Sequence, residues 1–265
     1  MVTSESQLRA FGRGDARPST ALLAGLLAAT GDAAQAICRT ADAVRREAMG
    51  DEVFLRGIIE FSNHCRNDCA YCGIRRGSRG VQRYRMTPEE IVEEAGRVRG
   101  QGCSTVVLQS GDDPWFTAPR LCAILEQIKG RHGLAVTLSV GVRPPAELHA
   151  LHAAGCDRWL LRFETSDRAI FAAIHPDESF DRRLQCLRDL RDAGIQVGSG
   201  FMIGLPGGTL ETIAADLLFA TELNLDMIGC GPFIAHPDTP LGGQPPLADP
   251  EVYFTAIALL RLLNP

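Results

Sequence analysis

From residue 50 onward, short apolar or β-branched runs alternate with longer amphipathic segments. The short runs predict strands, and the longer segments predict helices, because their apolar residues recur with helical spacing. An alternation of strands and helices predicts an α/β fold built on a parallel sheet. The predicted strands cover residues 57–62, 105–109, 135–139, 158–164, 196–203 and 227–230, and the predicted helices cover residues 88–100, 117–130, 144–154, 179–193, 209–223 and 249–263.

These segments make about six βα units, whereas a closed barrel of this type has about eight. We therefore predict a TIM-type partial barrel over residues 51–265, and we expect the last barrel units to be missing because Pro265 directly follows a helix. Two helices are predicted within residues 19–50. Residues 1–18 are polar and contain glycine, so they are predicted to form a disordered N-terminal segment.

Helix boundaries are marked by local chemistry. Thr87 can cap the helix that follows it, Pro88 suits the first helical position, and Glu90 completes a capping box. Glycines follow three predicted helices, at Gly102, Gly155 and Gly194, where a left-handed residue commonly ends a helix.

Charge and hydropathy exclude two classes of partner. The net charge of −5 and the pI near 5.7 give no basic footprint for nucleic acid, so none is expected to bind. Residues 21–29 form an apolar run after several arginines and superficially suit a signal peptide, but Ser19 or Thr20 can cap an amphipathic helix there, which we favour. No apolar stretch is long enough to span a bilayer, so no membrane association is expected.

Cysteine usage bears on the compartment. The chain has nine cysteines, an odd number, and their spacing is not typical of a disulfide framework. Clustered cysteines in the reducing cytosol are more often metal ligands than bridges, so we expect a cytoplasmic protein.

Polar residues and glycines follow most of the predicted strands. In barrels of this type the active site lies at the carboxyl ends of the strands, so these residues are expected to line one site. The strand-end segments are 62–65, 109–113, 139–141, 162–165, 198–200 and 231–233.

Cys65, Cys69 and Cys72 lie within eight residues, directly after the first predicted strand. Soft thiolates suit iron–sulfur clusters, and three of them leave one iron of a 4Fe–4S cubane open to a substrate. Structural zinc usually needs four ligands, often as two separated pairs, and His64 would be a strained fourth ligand. We therefore predict a 4Fe–4S cluster. Cys38, Cys103, Cys122, Cys156 and Cys186 are expected to fill the core, and Cys230 either to do the same or to face the cavity.

The Cys-x-x-x-Cys-x-x-Cys spacing, with an aromatic residue before the last cysteine, resembles the radical S-adenosylmethionine (SAM) superfamily. Five longer segments, spread over roughly residues 20–265, resemble its FeFe-hydrogenase maturase HydE family. Those segments are 59–85, 107–114, 160–165, 201–207 and 231–241.

The resemblance implies a 4Fe–4S cluster and SAM as cofactors. The open iron would bind SAM, and an injected electron would cleave it to a 5′-deoxyadenosyl radical. The implied substrate is a cysteine-bound iron carbonyl cyanide synthon for the hydrogenase active site. The implied partners are a reductant such as ferredoxin or flavodoxin and other hydrogenase maturases. The family barrel continues past Pro265, which suggests C-terminal truncation.

The resemblance also assigns residue roles. Arg162 would face the substrate, and Arg183 would pair with the methionine carboxylate of SAM. Without the family match, a surface ion pair of Arg183 with Asp181 or Asp189 would be nearly as good an explanation. The remaining contacts to SAM would come from the Tyr71 carbonyl at the adenine, from Ser110, Gly111 and Asp112 at the methionine amino group, from Ser139 and Glu164 at the ribose, and from Met202 and Phe233 beside the adenosine. Without the family match, residues such as Met202 and Phe233 are more often part of the core than contacts to a cofactor.

Three other functions compete with the maturase. Methylornithine synthase, a lysine mutase, has a closely similar cluster loop. A non-catalytic iron–sulfur electron carrier or scaffold would need the cluster but no cavity. Biotin synthase is disfavoured because it needs cysteines at strand ends where this chain has Ser110, Ser139 and Ser199.

Arg75, Arg76, Arg79, Arg83 and Arg85 form a local basic run. Its simplest interpretation is a solvated loop. The alternative hypothesis is a docking site for an acidic electron donor, reached by electrostatic steering.

Overall fold

A six-stranded parallel sheet organises the molecule. The computed structural model describes residues 4–13, 17–244 and 249–265. Each strand pairs in parallel with its sequence neighbours, so the strand order follows the chain order, with β1 and β6 at the two ends. The strands are β1 (Gly57–Ser62), β2 (Thr105–Ser110), β3 (Ala135–Ser139), β4 (Arg158–Leu160), β5 (Gln196–Ile203) and β6 (Met227–Pro232).

Helices follow every strand, which gives the six βα units predicted from the sequence. They are α4 (Pro88–Gly100), α5 (Ala118–His132), α6 (Pro145–Ala153), α7 (Arg168–Ile174), α8 (Phe180–Asp192), α9 (Leu210–Glu222) and α10 (Pro250–Leu263). Three helices precede the sheet: α1 (Glu5–Ala10), α2 (Thr20–Leu27) and α3 (Gly31–Met49). A short 3-10 helix, Phe11–Arg13, follows α1.

Local chemistry sets the helix ends as expected. The Thr87 hydroxyl accepts from the Glu90 backbone N–H at 3.2 Å, and the Glu90 carboxylate accepts from the Thr87 N–H at 2.7 Å. The predicted capping box is therefore confirmed. Gly102, Gly155 and Gly194 have positive φ angles of 86°, 109° and 83°, which is the left-handed geometry that glycine adopts without strain.

The expectation of a disordered segment over residues 1–18 is wrong where the structure describes it. Leu8 on α1 and Phe11 just after it are buried, and α1 packs against α3. Burial of these two apolar side chains stabilises the order of the segment. Residues 1–3 and 14–16 lie outside the described residues.

The fourth strand is shorter than the predicted 158–164, because β4 ends at Leu160. Beyond it the backbone leaves the regular ladder, and the Ser199 side chain on β5 replaces one partner. The Ser199 hydroxyl donates to the Leu161 carbonyl at 2.8 Å and accepts from the Phe163 N–H at 3.1 Å. The chain then returns to β5 as an isolated bridge at Glu164, whose φ is 65°.

Helix α7 was not predicted from the sequence. The Asp167 carboxylate caps it by accepting from the backbone N–H groups of Ala169 and Ile170, at 2.8 and 3.0 Å. Phe171 and Ile174 on its inner face are buried. An acidic cap before apolar residues at helical spacing was visible in the sequence, but the seven-residue helix is too short for a periodicity search to find.

The main apolar core lies between the sheet and its helices. Its largest fully buried side chains are Trp159, Phe61, Phe116, Phe163, Phe171 and Phe201. Cys156 and Cys186 are buried in it, and Cys38, Cys122 and Cys230 pack partly buried against it, as expected. Cys103 is half-buried and does not belong to this cluster, so the expectation of a core role is wrong for it.

Within residues 4–13, 17–244 and 249–265, no single helix has the length and apolar character to cross a bilayer. The pair α2 and α3 meets the criterion only when joined, and the two helices are bent by 115°.

Candidate active site

The three clustered cysteines lie on an irregular loop that leaves β1 and returns to it. The return is marked by an antiparallel bridge between Ser62 and Arg85. The loop is tied to its surroundings by backbone hydrogen bonds, from the Arg66 N–H to the Asp112 carbonyl and from the Ala70 N–H to the Ile174 carbonyl, both at 2.9 Å. These bonds attach the loop to the turn after β2 and to the end of α7.

Arg83 holds the cysteine loop from within. Its guanidinium donates to the backbone carbonyls of Asn63, Ile74 and Arg75, the last two at 2.8 and 2.6 Å. One side chain therefore joins the start of the loop to the segment just after the last cysteine. No cysteine motif would identify this arginine as part of the site.

Most of the other arginines of the basic run pair with carboxylates of the same chain. Arg75 pairs with Asp68 at 2.6 Å, Arg76 with Asp177 at 3.2 Å, and Arg85 with Asp113 at 2.7 Å. Arg76, Arg79 and Arg85 are exposed, so the run lies on a solvated loop, as the simplest interpretation had it, but most of its charges are paired within the chain.

One cavity of about 600 Å³ brings most of the expected site residues together. Its walls come from the cysteine loop and from the ends of β2, β3 and β4, with α8 contributing one arginine. The expected residues that line it are Cys65, Cys69, Cys72, Tyr71, Ser110, Gly111, Asp112, Ser139, Arg162, Glu164 and Arg183.

Met202 and Phe233 do not line this cavity. They lie in a second, smaller apolar cluster with Leu205, against which Tyr71 packs partly buried. Both residues are therefore core residues of this cluster, as the alternative interpretation had it, and they lie directly behind the Tyr71 side of the cavity. Their role beside the adenosine remains a prediction.

Glycine is needed where the cysteine loop meets the turn after β2. A Cβ on Gly111 would collide with the His64 carbonyl and would lie 2.8 Å from the Cys65 Cβ. Gly141 has a φ of 80°, and a Cβ there would lie 2.8 Å from the Asp112 carboxyl carbon. Bare backbone at Gly111 therefore lets the cysteine loop approach the turn after β2, and bare backbone at Gly141 lets the Asp112 carboxylate approach the segment after β3.

Asp112 is buried at the cavity wall and carries two polar contacts. Its Oδ2 lies 3.0 Å from Arg66 Nε and 3.4 Å from Asn67 Nδ2. Burial raises the pKa of this carboxyl, and the charge and hydrogen bond of Arg66 oppose that rise. A cationic ligand group would further favour the charged form of Asp112.

Glu164 offers an unpaired acceptor to the cavity. The Tyr71 hydroxyl donates to its Oε1 at 3.1 Å. Oε2 is buried and accepts no hydrogen bond from any residue that the structure describes, although Arg162 Nε lies 3.4 Å away. A buried carboxylate oxygen without a donor has a strong tendency to accept one from a ligand.

Arg183 is buried and already holds a carboxylate. Its Nε donates to Glu178 Oε1 at 2.9 Å, its Nη2 donates to Glu178 Oε2, and its Nη1 donates to the Arg162 carbonyl at 2.7 Å. The alternative of a surface ion pair with Asp181 or Asp189 is therefore wrong. Pairing of Arg183 with the methionine carboxylate remains a prediction, and that carboxylate would have to share the guanidinium with Glu178.

His175 was not singled out from the sequence, although it lines the cavity. It ends α7, and its Nδ1 lies 3.3 Å from Cys69 Sγ while its Nε2 lies 3.4 Å from the Tyr71 hydroxyl. Burial, with help from the Arg183 charge, lowers its pKa to about 3, so the imidazole is neutral. The Ile-His-Pro sequence around it contains no motif, and only the packing of α7 against the cysteine loop brings it to the site.

The donor chemistry of the cysteine loop fits an iron–sulfur cluster. Burial raises the pKa of Cys69 to about 12 and raises those of Cys65 and Cys72, so without metal all three are thiols. Across the described ranges, no group of three His, Cys, Asp or Glu side chains is spaced to hold a single metal ion. Cysteine thiolates are the ligands that hold iron–sulfur clusters, so three cysteines on one loop supply the donor type that such a cluster needs.

The parallel βα fold places a cavity lined by three cysteines at the carboxyl ends of its strands, which is the active-site position of βα-barrel enzymes. The family model described as the Radical SAM superfamily matches residues 59–220, which is more than half of the chain. The chain therefore belongs to the radical SAM superfamily.

Two curated proteins show which members of the superfamily the chain resembles. The [FeFe] hydrogenase maturase subunit HydE of Thermotoga maritima is 46% identical over 231 residues, which cover 87% of this chain and 66% of that protein. The 3-methylornithine synthase of Methanosarcina barkeri is 29% identical over 227 residues, covering 84% of this chain and 63% of that protein. The chain thus spans just under two thirds of the length of these curated relatives.

A solved structure supports the fold. The crystal structure of methylornithine synthase (PylB) superposes with a TM-score of 0.87 at 25% sequence identity, covering 97% of this chain and 77% of that chain. The prediction of a TIM-type partial barrel of about six βα units is confirmed by this match together with the six parallel strands.

Proposed function

We propose that Cys65, Cys69 and Cys72 hold a 4Fe–4S cluster and that SAM binds beside it in the same cavity. The observation that carries this proposal is the convergence of the three cysteines with a polar wall on one cavity of about 600 Å³. When bound and reduced, the cluster would supply the electron that cleaves the SAM sulfonium to methionine and a 5′-deoxyadenosyl radical.

The turn after β2 is suited to the amino end of SAM. Ser110, Gly111 and Asp112 line the cavity next to the cysteine loop, and the absence of a Cβ at Gly111 lets this turn approach that loop closely. Asp112 can pair with the amino group, since a carboxylate and an ammonium attract strongly in a partly desolvated site. Its contact with Arg66 keeps the carboxylate oriented.

The ribose would lie between Ser139 and Glu164. Glu164 Oε2 has no donor among the described residues, and a ribose hydroxyl is a donor of the right kind. The Tyr71 carbonyl would accept from the adenine amine, with Met202 and Phe233 packed behind it. Arg183 would contribute one of its remaining N–H groups to the methionine carboxylate while it stays paired with Glu178.

For the substrate we propose a cysteine-bound iron carbonyl cyanide synthon, as expected of a HydE-like maturase. The 46% identity to the Thermotoga maritima maturase supports this choice over the other functions. Arg162 lines the cavity and can attract an anionic substrate. A reductant such as ferredoxin or flavodoxin, and other maturases, are the proposed partners. The basic run gives little support to a docking site, because most of its arginines are internally paired.

The test begins with anaerobic reconstitution with iron and sulfide, followed by measurement of bound iron and of SAM cleavage under dithionite. Four irons per chain and release of methionine and 5′-deoxyadenosine are expected for a 4Fe–4S radical SAM enzyme. Cys65→Ala, Cys69→Ala and Cys72→Ala should each abolish cleavage, whereas Cys122→Ala should leave it intact. A cluster that forms but cleaves no SAM would favour the electron carrier, and bound zinc alone would refute the proposal.

Methylornithine synthase is the second candidate, because its structure superposes over 97% of this chain. The two functions differ in substrate. Turnover with lysine and with the iron–cysteine synthon, compared side by side, separates them, and the maturase proposal expects SAM consumption to depend on the synthon only. Consumption coupled to lysine would favour the mutase.

A further inference from the structure

His175 lies between a candidate cluster ligand and the residues proposed to hold the ribose, and it has no role in the proposal above. His175 is 3% exposed, and its ring stacks on Phe171, with ring centroids 4.6 Å apart and 22° between the planes. Tyr71 meets it edge to face at 5.5 Å. Packing on both sides fixes the ring so that Nδ1 faces Cys69 and Nε2 faces the Tyr71 hydroxyl.

The chemistry of a cluster ligand fixes which nitrogen donates. A neutral imidazole donates from one nitrogen and accepts at the other. A cysteine sulfur that ligates iron is a thiolate, so it has no hydrogen and can only accept. With Cys69 as a ligand, the contact between Cys69 and His175 is a hydrogen bond only if Nδ1 carries the hydrogen. Nε2 of His175 is then an acceptor.

The Tyr71 hydroxyl lies between Nε2 of His175 and the Glu164 carboxylate. Its hydroxyl has one hydrogen and two acceptors within reach, Glu164 Oε1 at 3.1 Å and His175 Nε2 at 3.4 Å. The other carboxylate oxygen, Glu164 Oε2, accepts no hydrogen bond from the described part of the chain. If the hydroxyl turns to His175, both carboxylate oxygens of Glu164 are free to accept from a ligand.

We propose that His175 is a positioning residue that couples cluster binding to SAM binding. Its Nδ1–H donates to the Cys69 sulfur, and its Nε2 accepts the Tyr71 hydroxyl hydrogen, which leaves Glu164 to the ribose hydroxyls. The inference rests on the proposed function, since it requires the cluster and SAM. A hydrogen bond to a ligating sulfur stabilises the more negative, reduced cluster, so it raises the reduction potential.

Three substitutions separate the two contacts. His175→Phe keeps an aromatic ring on Phe171 but removes both nitrogens. His175→Asn places an amide nitrogen near the position of Nδ1, and His175→Gln places its amide group near the position of Nε2. Asn should therefore retain the contact with Cys69, and Gln should retain the contact with Tyr71.

The first measurement is the midpoint potential of the reconstituted, SAM-free cluster, by redox titration followed by electron paramagnetic resonance. We expect more negative potentials for His175→Phe and His175→Gln than for the parent, with His175→Asn near the parent. The second measurement is the anaerobic Kd for SAM. Loss of one hydrogen-bond acceptor should weaken binding about fivefold in His175→Phe and His175→Asn, with His175→Gln near the parent.

Equal potentials in the parent and in His175→Phe, or equal SAM affinities in the Asn and Gln variants, overturn the inference. If His175→Phe does not fold or load iron, the other two variants still test the inference. His175→Asn should then have the higher potential and His175→Gln the higher affinity for SAM. If one variant is higher in both measurements, the inference is overturned. A parent chain that holds no cluster overturns the proposed function and this inference together. A loaded parent whose variants are unchanged overturns this inference alone.

Discussion

Phe61 and Ser62 are neighbours on β1, yet they belong to two regions that depend on different interactions. Phe61 is fully buried in the main core and meets the Phe116 ring edge to face, with centroids 4.5 Å apart. Ser62 lies at the rim of the cavity, where its hydroxyl donates to Asp113 at 2.6 Å and Arg85 completes the network.

The core is held by apolar burial, which has no direction and is shared among many side chains. The rim is held by directed contacts, in which one atom such as Arg183 Nε or Ser62 Oγ has a particular partner. The rim also keeps Glu164 Oε2 without a donor among the described residues. Stability and ligand chemistry are therefore concentrated in adjacent but separate layers, and substitutions should affect them separately.

The largest effect on stability is expected in the core. Phe61→Ala should lower the free energy of unfolding by about 4 kcal/mol, because it removes a buried ring and leaves a cavity. Urea unfolding of the cluster-free chain measures this. Ile58→Ala is the matched control on the same strand, since Ile58 is 56% exposed and should cost less than about 1 kcal/mol. Similar losses for the two variants would contradict the division into layers.

Arg183→Met tests whether the rim also contributes stability. It leaves the buried Glu178 carboxylate without its partner, so we expect a loss of about 3 kcal/mol in the same unfolding measurement. Arg168→Met is the control, because it breaks the exposed pair with Asp181 and should cost at most about 1 kcal/mol. Recovery of stability in Arg183→Met/Glu178→Met would confirm that the unpaired charge is the cause.

Asp216 should make stability depend on pH. Burial raises its pKa to about 7, against the hydrogen bonds from Ser166 and Thr165. Since the folded state holds a proton that the unfolded state releases at lower pH, stability falls as pH rises from about 5 to about 7, by about 2 kcal/mol. Above the folded pKa the loss is complete.

The matched variant is Asp216→Asn, which keeps an acceptor for Ser166 but has no charge. Urea unfolding at the two pH values should show that this part of the pH dependence is gone. For each protein, the measurement gives the change in unfolding free energy between the two pH values. If this change is the same in the parent and in Asp216→Asn, Asp216 is ionised throughout that range.

Arg83→Met should have the smallest effect on stability among these substitutions, but a clear effect on how firmly the site retains iron. It removes the donors to the carbonyls of Asn63, Ile74 and Arg75. We expect a loss of about 1 kcal/mol in unfolding free energy and about tenfold faster iron release to a chelator from the reconstituted protein. Arg79→Met, at an exposed position of the same loop, should match the parent in both measurements.

The sequence was informative where local chemistry decides the outcome. The capping box at Thr87 and the glycines after α4, α6 and α8 depend on residues close together in the chain. The three cysteines are likewise within eight residues, so their spacing could be interpreted without the fold.

Contacts between distant segments were not predictable in the same way. An apolar run over 158–164 looks like one strand, but the Ser199 side chain on the neighbouring strand replaces part of the ladder and β4 ends at Leu160. The sequence offers Asp181 and Asp189 as surface partners for Arg183, whereas in the structure the buried Arg183 pairs with the buried Glu178. In both cases the deciding group belongs to another segment or depends on burial.

The sequence by itself determined most of the order of strands and helices, their main boundaries and the spacing of the three cysteines, because periodicity, caps and motif spacing act within a few residues. The tertiary structure alone decided that His175 faces Cys69, that Arg83 holds the loop, and that Glu164 Oε2 lacks a donor among the described residues. The physical reason is that hydrogen-bond satisfaction and desolvation depend on which atoms packing brings within about 3 Å of each other, at any separation along the chain.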